Sequence, residues 1–299
     1  MRVLITGVSG TLGQAVTKEL INRGNICIVG YSRDELKLAQ LPHKDKITLY
    51  VGDVRDQSRL VEASRDIDVI FHFAALKRVD TLEANPEEAY KTNILGTDNV
   101  LHAQRVNGIK RVVLSSTDKG AYPINVYGCT KQIAEALVLR NPANVVCRYG
   151  NVLASRGSVI PSFVDDVKNG NTVKITDIRM TRFFIRIEDA ARFVVDSGLS
   201  FYSQFQHEQN FSESYADPKK TGGLKIPSMK GCRISDVAKA IGVILDKPVF
   251  FQDVGIRPGE KINECLRMAH EGIEVHSNTS DQFTEQELID LLSPIVGAP

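Results

Sequence analysis

The sequence predicts a doubly wound, mostly parallel α/β sheet followed by a smaller, partly interleaved C-terminal domain, and three observations lead there. Apolar, β-branched runs alternate with helix-patterned segments through the first half of the chain. A glycine-rich turn separates the first run from the first helix pattern. The alternation stops near Gly150, and a different rhythm follows.

Taken in order, "RVLIT" opens as a strand and "TGVSGTLGQ" turns into a helix expected near 12–23. "ICIVGY", "ITLYVG", "DVIFHFA", "KRVVLSS" and "NVVCRYG" supply five more strands, with helices expected near 57–65, 84–107 and 126–140. This gives a first domain at 1–150. "MTRFFIRIEDAARFVVDSGL" reads as a piece returning to it, over about 172–198. The second domain takes 151–171 and 199–299, with a polar loop from Ser203 to Gly223 and helix patterns in "RISDVAKAIGVIL" and "TEQELIDLL".

The 299 residues are 42% hydrophobic, enough for a sizeable core. Lys plus Arg (37) nearly cancels Asp plus Glu (36), with no block of one sign, so neither nucleic acid nor a membrane surface is an expected partner. An anionic ligand must then meet locally placed cations. Five scattered cysteines without a C-x-x-C pair argue against disulfides and a zinc site, and favour a reducing cytoplasm. The chain begins directly in a strand and turn, and no apolar run reaches bilayer length.

Gly7, Gly10 and Gly13 lie between the first strand and helix in G-x-x-G-x-x-G spacing. Glycines there let the backbone approach a pyrophosphate, while Thr11, Leu12 and Gly13 begin a helix whose free N–H groups face it. The second strand ends in Ser32-Arg33, where NAD enzymes usually carry an acid for the ribose. A guanidinium and a hydroxyl suit a 2′-phosphate, so NADP is favoured over NAD. The opposing reading makes Arg33 a solvated helix-start residue and gives the ribose to Asp34. Asp53 and Val54 after the third strand, and Ala74, Ala75 and Lys77 after the fourth, fall at the sheet edge where such ligands bind, although both stretches could be packed turns.

The stretch "STDKGAYPINVYGCTK" (116–131) crowds titratable groups after the fifth strand. Tyr127 and Lys131 are four apart and share a helix face. A phenol titrates near pH ~10, but a neighbouring ammonium and an oxidised nicotinamide favour the phenolate, which makes Tyr127 a candidate base. Together with the glycine turn, this Y-x-x-x-K resembles the short-chain dehydrogenase/reductase superfamily, whose fold is Rossmann-like, and in particular its extended members.

"STDK", "PINVYGCTK", "CRYGNVLASRGSVIP", "MTRFF" and "GIRPGEK", in that order, narrow the resemblance to the C5-inverting UDP-N-acetylglucosamine 4,6-dehydratases of bacterial surface-sugar pathways. Cys129 departs from a position that is usually small, such as alanine, and is itself small. The resemblance implies Thr117, Asp118, Lys119, Tyr127 and Lys131 as the catalytic set. Tyr127 would take the sugar O4 proton while C4 is oxidised, with Lys131 lowering its pKa and Thr117 bonding the developing ketone. Lys119 would then remove the C5 proton, and a protonated Asp118 would donate to the departing C6 hydroxyl.

That needs a neutral lysine and a neutral acid, against reference values of roughly 10.4 and 3.9, and burial pushes both the required way. An exposed ion pair at a strand end is the plainer reading of Asp118-Lys119. By resemblance Asn93 joins the cofactor contacts, and Lys77, Asn151, Arg156, Ser158, Arg182, Arg257 and Glu260 hold the nucleotide sugar. Any one of these arginines could instead serve packing. The resemblance also implies a homo-oligomer. His72 is read as structural, and the histidines show no metal-ligand spacing. Two other readings stand: a UDP-sugar 4-epimerase or reductase on the same scaffold, and a non-catalytic NADP-binding regulatory protein.

Overall fold

The computed structural model describes residues 1–153, 158–200 and 222–297. The chain divides into two compact units, Met1–Arg148 with Ile187–Pro227, and Tyr149–Arg186 with Ser228–Pro299.

The first unit is built on a seven-stranded sheet. Its strands are β1 (Arg2–Thr6), β2 (Cys27–Ser32), β3 (Thr48–Val51), β4 (Val69–His72), β5 (Arg111–Thr117), β6 (Val145–Tyr149) and β7 (Gly223–Lys225). The order is β7-β6-β5-β4-β1-β2-β3, and the registers of β1 with β2 and β4, β2 with β3, β4 with β5 and β6 with β7 are all parallel. Strand order therefore reverses between β1 and β4, the crevice where ligands of such sheets bind.

Alternate strand residues face opposite helical layers. Leu4, Val29, Ile70, Val112 and Val146 pack with Leu60, Val100, Ala103, Ala134 and Val138 from helices Gln57–Ala63, Gly96–Asn107 and Val126–Leu139. On the other face helix Ile187–Leu199 comes so close that a Cβ on Gly198 would lie 2.6 Å from the Phe71 ring. Helix Thr11–Arg23 lies beside it, and Arg23 reaches Asp196 at 2.8 Å. Full burial of each such apolar side chain is worth about 1.5–3 kcal/mol.

The returning piece thus starts at Ile187, not near 172, and the first unit keeps the chain to Pro227 rather than to 198. Residues 173–175 and 181–185 are strands of the second unit: Val173–Ile175 pairs with Phe251–Asp253, and Thr181–Ile185 lies between Gly231–Arg233 and Asn151–Val152. Sheet pairing, which the apolar run alone does not specify, takes the first half of "MTRFFIRIEDAARFVVDSGL" away from the helix that follows. The second unit's core gathers Ile160, Phe163, Val237, Ile241, Leu288 and Leu292 from helices Val159–Lys168, Ile234–Leu245 and Glu285–Val296. Thr284 and Glu287 cap the last of these reciprocally.

The helix expected over 84–107 is broken into Pro86–Ala89, a π-helical turn Tyr90–Leu95 and Gly96–Asn107. Among the described residues no helix is long and apolar enough to cross a membrane.

Candidate active site

The turn after β1 is shaped by what its glycines exclude. Gly7 has φ +75° and a Cβ there would lie 2.7 Å from the Ala74 nitrogen, while a Cβ on Gly13 would collide with the Gly7 carbonyl. Gly10 starts helix Thr11–Arg23 with no side-chain cap, so the first-turn amides of Thr11, Leu12 and Gly13 are left to a ligand or solvent. An uncapped helix start beside backbone that tolerates no Cβ fits a pyrophosphate.

At the end of β2, Ser32 shares a hydrogen bond with Ser9 (2.9 Å), and Arg33 is half-exposed, 3.6 Å from Asp53. Asp34 is already employed: its carboxylate caps helix Glu35–Ala39 through the Lys37 amide (3.0 Å) and meets the Lys37 ammonium at 2.6 Å. Asp53 is bonded by the Arg55 amide and guanidinium; burial works against its charge, yet those bonds hold its carboxyl below the usual range. Val54 is buried against Gly96.

Asn93, expected among the cofactor contacts, is buried. Its amide accepts from the Leu76 N–H (2.8 Å) and donates to the Leu76 carbonyl (2.9 Å) and the Thr130 hydroxyl (3.0 Å). It ties the 74–77 loop to the helix carrying Tyr127 and Lys131.

A second chain of bonds runs beside it. The Thr97 hydroxyl donates to the Asn93 carbonyl (2.7 Å), so it accepts from Nε2–H of His72 (3.1 Å), and Nδ1 of His72 accepts from Thr6 (2.7 Å). One neutral tautomer satisfies every partner, and burial, assisted by Lys131, pushes the His72 pKa down to about 3. His72 is structural, as the sequence suggests.

Thr117, Asp118, Lys119 and Tyr127 come together at the end of β5. The Thr117 hydroxyl donates to Asp118 Oδ1 (2.9 Å) and also reaches the phenol of Tyr127. Lys119 Nζ lies 3.2 Å from the same Oδ1, with Asp118 fully buried and the Lys119 side chain 21% exposed. Asn125 caps the Val126–Leu139 helix through the Gly128 amide (2.7 Å). Gly128 has no room for a Cβ, which would collide with the Lys119 carbonyl. That approach brings the first turn, and Tyr127 with it, against the Asp118–Gly120 turn.

Burial pushes the Tyr127 pKa up to about 12, and Lys119 pulls against it. Lys119, on the turn that faces the helix, is thus a cation acting on the phenol. Lys131 is 4% exposed; burial lowers its pKa to about 8 and Glu135 opposes that fall.

The expected sugar-binding residues other than Lys77, which is exposed in the first unit's 74–77 loop, lie in the second unit. Asn151 is half-buried opposite Phe184, Ser158 precedes helix Val159–Lys168, and Arg156 lies outside the described residues. Arg257 is exposed in a turn closed by Glu260, whose carboxylate accepts from the Arg257 amide (3.3 Å). Arg182 is committed elsewhere: 7% exposed, it donates to the carbonyls of Thr181 (2.7 Å), Ile262 (3.1 Å) and Lys261 (2.9 Å). It packs the 261–264 segment, which its place in "MTRFF" does not reveal.

The polysaccharide biosynthesis protein family matches residues 3–286 of this chain. The chain belongs to that family. The UDP-N-acetylglucosamine 4,6-dehydratase (inverting) of Campylobacter jejuni subsp. jejuni serotype O:2 is 38% identical over 277 residues, which span 88% of this chain and 76% of the relative. A Rickettsia conorii UDP-glucose 4-epimerase is 36% identical over 284 residues, spanning 90% and 78%. Among solved structures, Pen from Bacillus thuringiensis matches with a TM-score of 0.84 at 26% identity, covering 98% of this chain and 97% of that one.

Sequence reading of this family member missed Ser116, Glu135 and Arg148. They form a buried polar group: Ser116 donates to Glu135 Oε1, and Arg148 pairs with Glu135 through Nε (3.1 Å) and Nη2 (2.5 Å). The available signal was Glu135, four residues beyond Lys131 on the same helix face.

Proposed function

We propose that this chain catalyses the NADP-dependent 4,6-dehydration of UDP-N-acetylglucosamine with inversion at C5, giving a UDP-2-acetamido-2,6-dideoxy-4-ketohexose. What carries the reading is the Asp118–Lys119 contact beside Thr117 and Tyr127. A C4 oxidation alone uses a phenol and a hydroxyl; removing water across C5 and C6 also needs a base and an acid, and here both are within reach of the phenol.

The glycine turn and uncapped helix start would hold the pyrophosphate, with Arg33 and Ser32 toward the 2′-phosphate and Asp34 engaged as a cap. Bound there, the cofactor would supply the hydride acceptor for C4 and the hydride donor for C6. Tyr127 accepts the O4 proton, with Lys131 supplying positive charge from the same helix face and Thr117 a hydrogen bond to O4. Once C4 is a ketone the C5 proton is acidic, and Lys119 takes it while Asp118 protonates the departing C6 hydroxyl.

For the elimination step the proton count closes within the pair. A neutral acid and amine hold the same single titrating proton as the ion pair Asp118–Lys119. Elimination leaves Lys119 protonated and Asp118 ionised, and one transfer across the 3.2 Å contact restores the starting forms. C5 then takes one proton from solvent on the opposite face, and Tyr127 releases to solvent the one it took from O4.

The Rickettsia relatives named UDP-glucose 4-epimerase favour a second reading, in which C4 is reduced again and the C6 hydroxyl stays. Treating the reaction mixture with alkali separates the two. The proposed product develops the ultraviolet absorbance of a 4-keto-6-deoxy sugar from UDP-N-acetylglucosamine. No absorbance, with a C4 epimer formed instead, would sink the dehydratase reading.

A further inference from the structure

Beyond the end of β2 runs a row of charges that the reaction above leaves unexplained. Arg33 lies 3.6 Å from Asp53 Oδ2, yet among the described residues it donates no hydrogen bond. Asp53 is taken instead by Arg55: Nε meets Oδ1 at 3.0 Å, Nη2 meets Oδ2 at 2.7 Å, and the Arg55 amide adds a bond to Oδ1 at 3.0 Å. Two parallel prongs are the strong form of this pairing. Nη1 of Arg55 donates to Glu88 (3.0 Å), whose other oxygen accepts from Lys91 (3.0 Å). Arg33, Arg55 and Lys91 thus face Asp53 and Glu88, three positive charges against two negative, and the surplus falls at Arg33, the end without a hydrogen bond.

We infer that Arg55 is a positioning residue for cofactor specificity: by occupying both oxygens of Asp53 it leaves Arg33 to the 2′-phosphate of NADP. The inference rests on the proposed NADP reading, in which Arg33 meets that phosphate. A bare carboxylate this close to Arg33 would compete with the phosphate for the guanidinium and would repel the phosphate itself. Arg55 removes both effects without touching the cofactor, since its fork is turned on Asp53. Without Arg55, Asp53 would turn to Arg33, the other cation beside it.

Calorimetric titration with NADP and with NAD, without substrate or turnover, gives a ratio of affinities in which changes common to both cofactors cancel. That ratio in the unmutated protein tests the NADP reading, and its change on substitution tests this inference. Arg55→Gln should weaken NADP about tenfold or more and NAD by less than about threefold, so the ratio falls. Arg55→Lys keeps the charge and loses the two-pronged geometry, and its ratio should fall less. Adding Asp53→Asn to Arg55→Gln removes the competing carboxylate and should restore the ratio. If Arg55 served only to staple Asp53 to Glu88, that addition would restore nothing. Equal weakening of NADP and NAD by Arg55→Gln, or a ratio that stays low in the double variant, overturns the inference. An unmutated protein that favours NAD would sink the NADP reading, while the change in ratio would still decide the role of Arg55.

Discussion

Lys119 meets the buried carboxylate of Asp118 and acts on the phenol of Tyr127, and on the proposed chemistry it is the base for C5. Lys119→Ala should abolish solvent deuterium uptake at C5 and lower turnover about 10²–10⁴-fold, with NADP binding and unfolding midpoint kept. Turnover near that of the unmutated protein would remove Lys119 from the mechanism. Arg33→Ala tests the cofactor. Losing a charge-assisted bond of about 1.5–3 kcal/mol should weaken NADP roughly tenfold or more and leave NAD little changed, which calorimetric titration measures. Equal losses for both would return the ribose to another residue. At this scale the 116–131 motif was legible because its residue types and order are specific. That Lys119 also acts on the phenol was not, since helical spacing puts Lys131 on the Tyr127 face and says nothing of a lysine on the facing turn.

Gly128 and His72 show how elements hold these groups. Gly128→Ala should push the helix start away from Lys119, destabilising by about 1–3 kcal/mol and cutting activity more than it cuts cofactor affinity. Urea unfolding and single-turnover assays read the two effects. His72 makes a pH prediction. Its folded pKa, about 3, lies far below the ordinary 6.5, so between those values the unfolded chain binds a proton that the folded one refuses. Stability should fall as pH drops from about 6.5 toward 3, by up to about 1.4 kcal/mol per unit, and His72→Gln should flatten that slope. An unchanged slope would contradict the neutral tautomer. Helices near 12–23, 57–65 and 126–140 were legible from their patterning, and appear as Thr11–Arg23, Gln57–Ala63 and Val126–Leu139. The π turn was not, because the pattern over 84–107 carries no mark of a widened turn. Strand β7 is three residues of a polar neighbourhood, too short for any period to register.

Across the whole chain, the first unit carries the cofactor turn and the Thr117–Lys131 groups, and the second carries Asn151, Ser158, Arg182, Arg257 and Glu260. The parallel sheet was legible because each buried strand is a continuous apolar run. The division of residues 172–198 was not, since strand Thr181–Ile185 and helix Ile187–Leu199 adjoin in sequence but belong to different units. Whether an acid and a base beside the phenol remove water across C5 and C6 is read by NMR of the product formed from UDP-N-acetylglucosamine in deuterated water. The expected product has a C6 methyl group, a C4 ketone and one deuterium at an inverted C5. A product that keeps its C6 hydroxyl and carries no deuterium at C5 would contradict it.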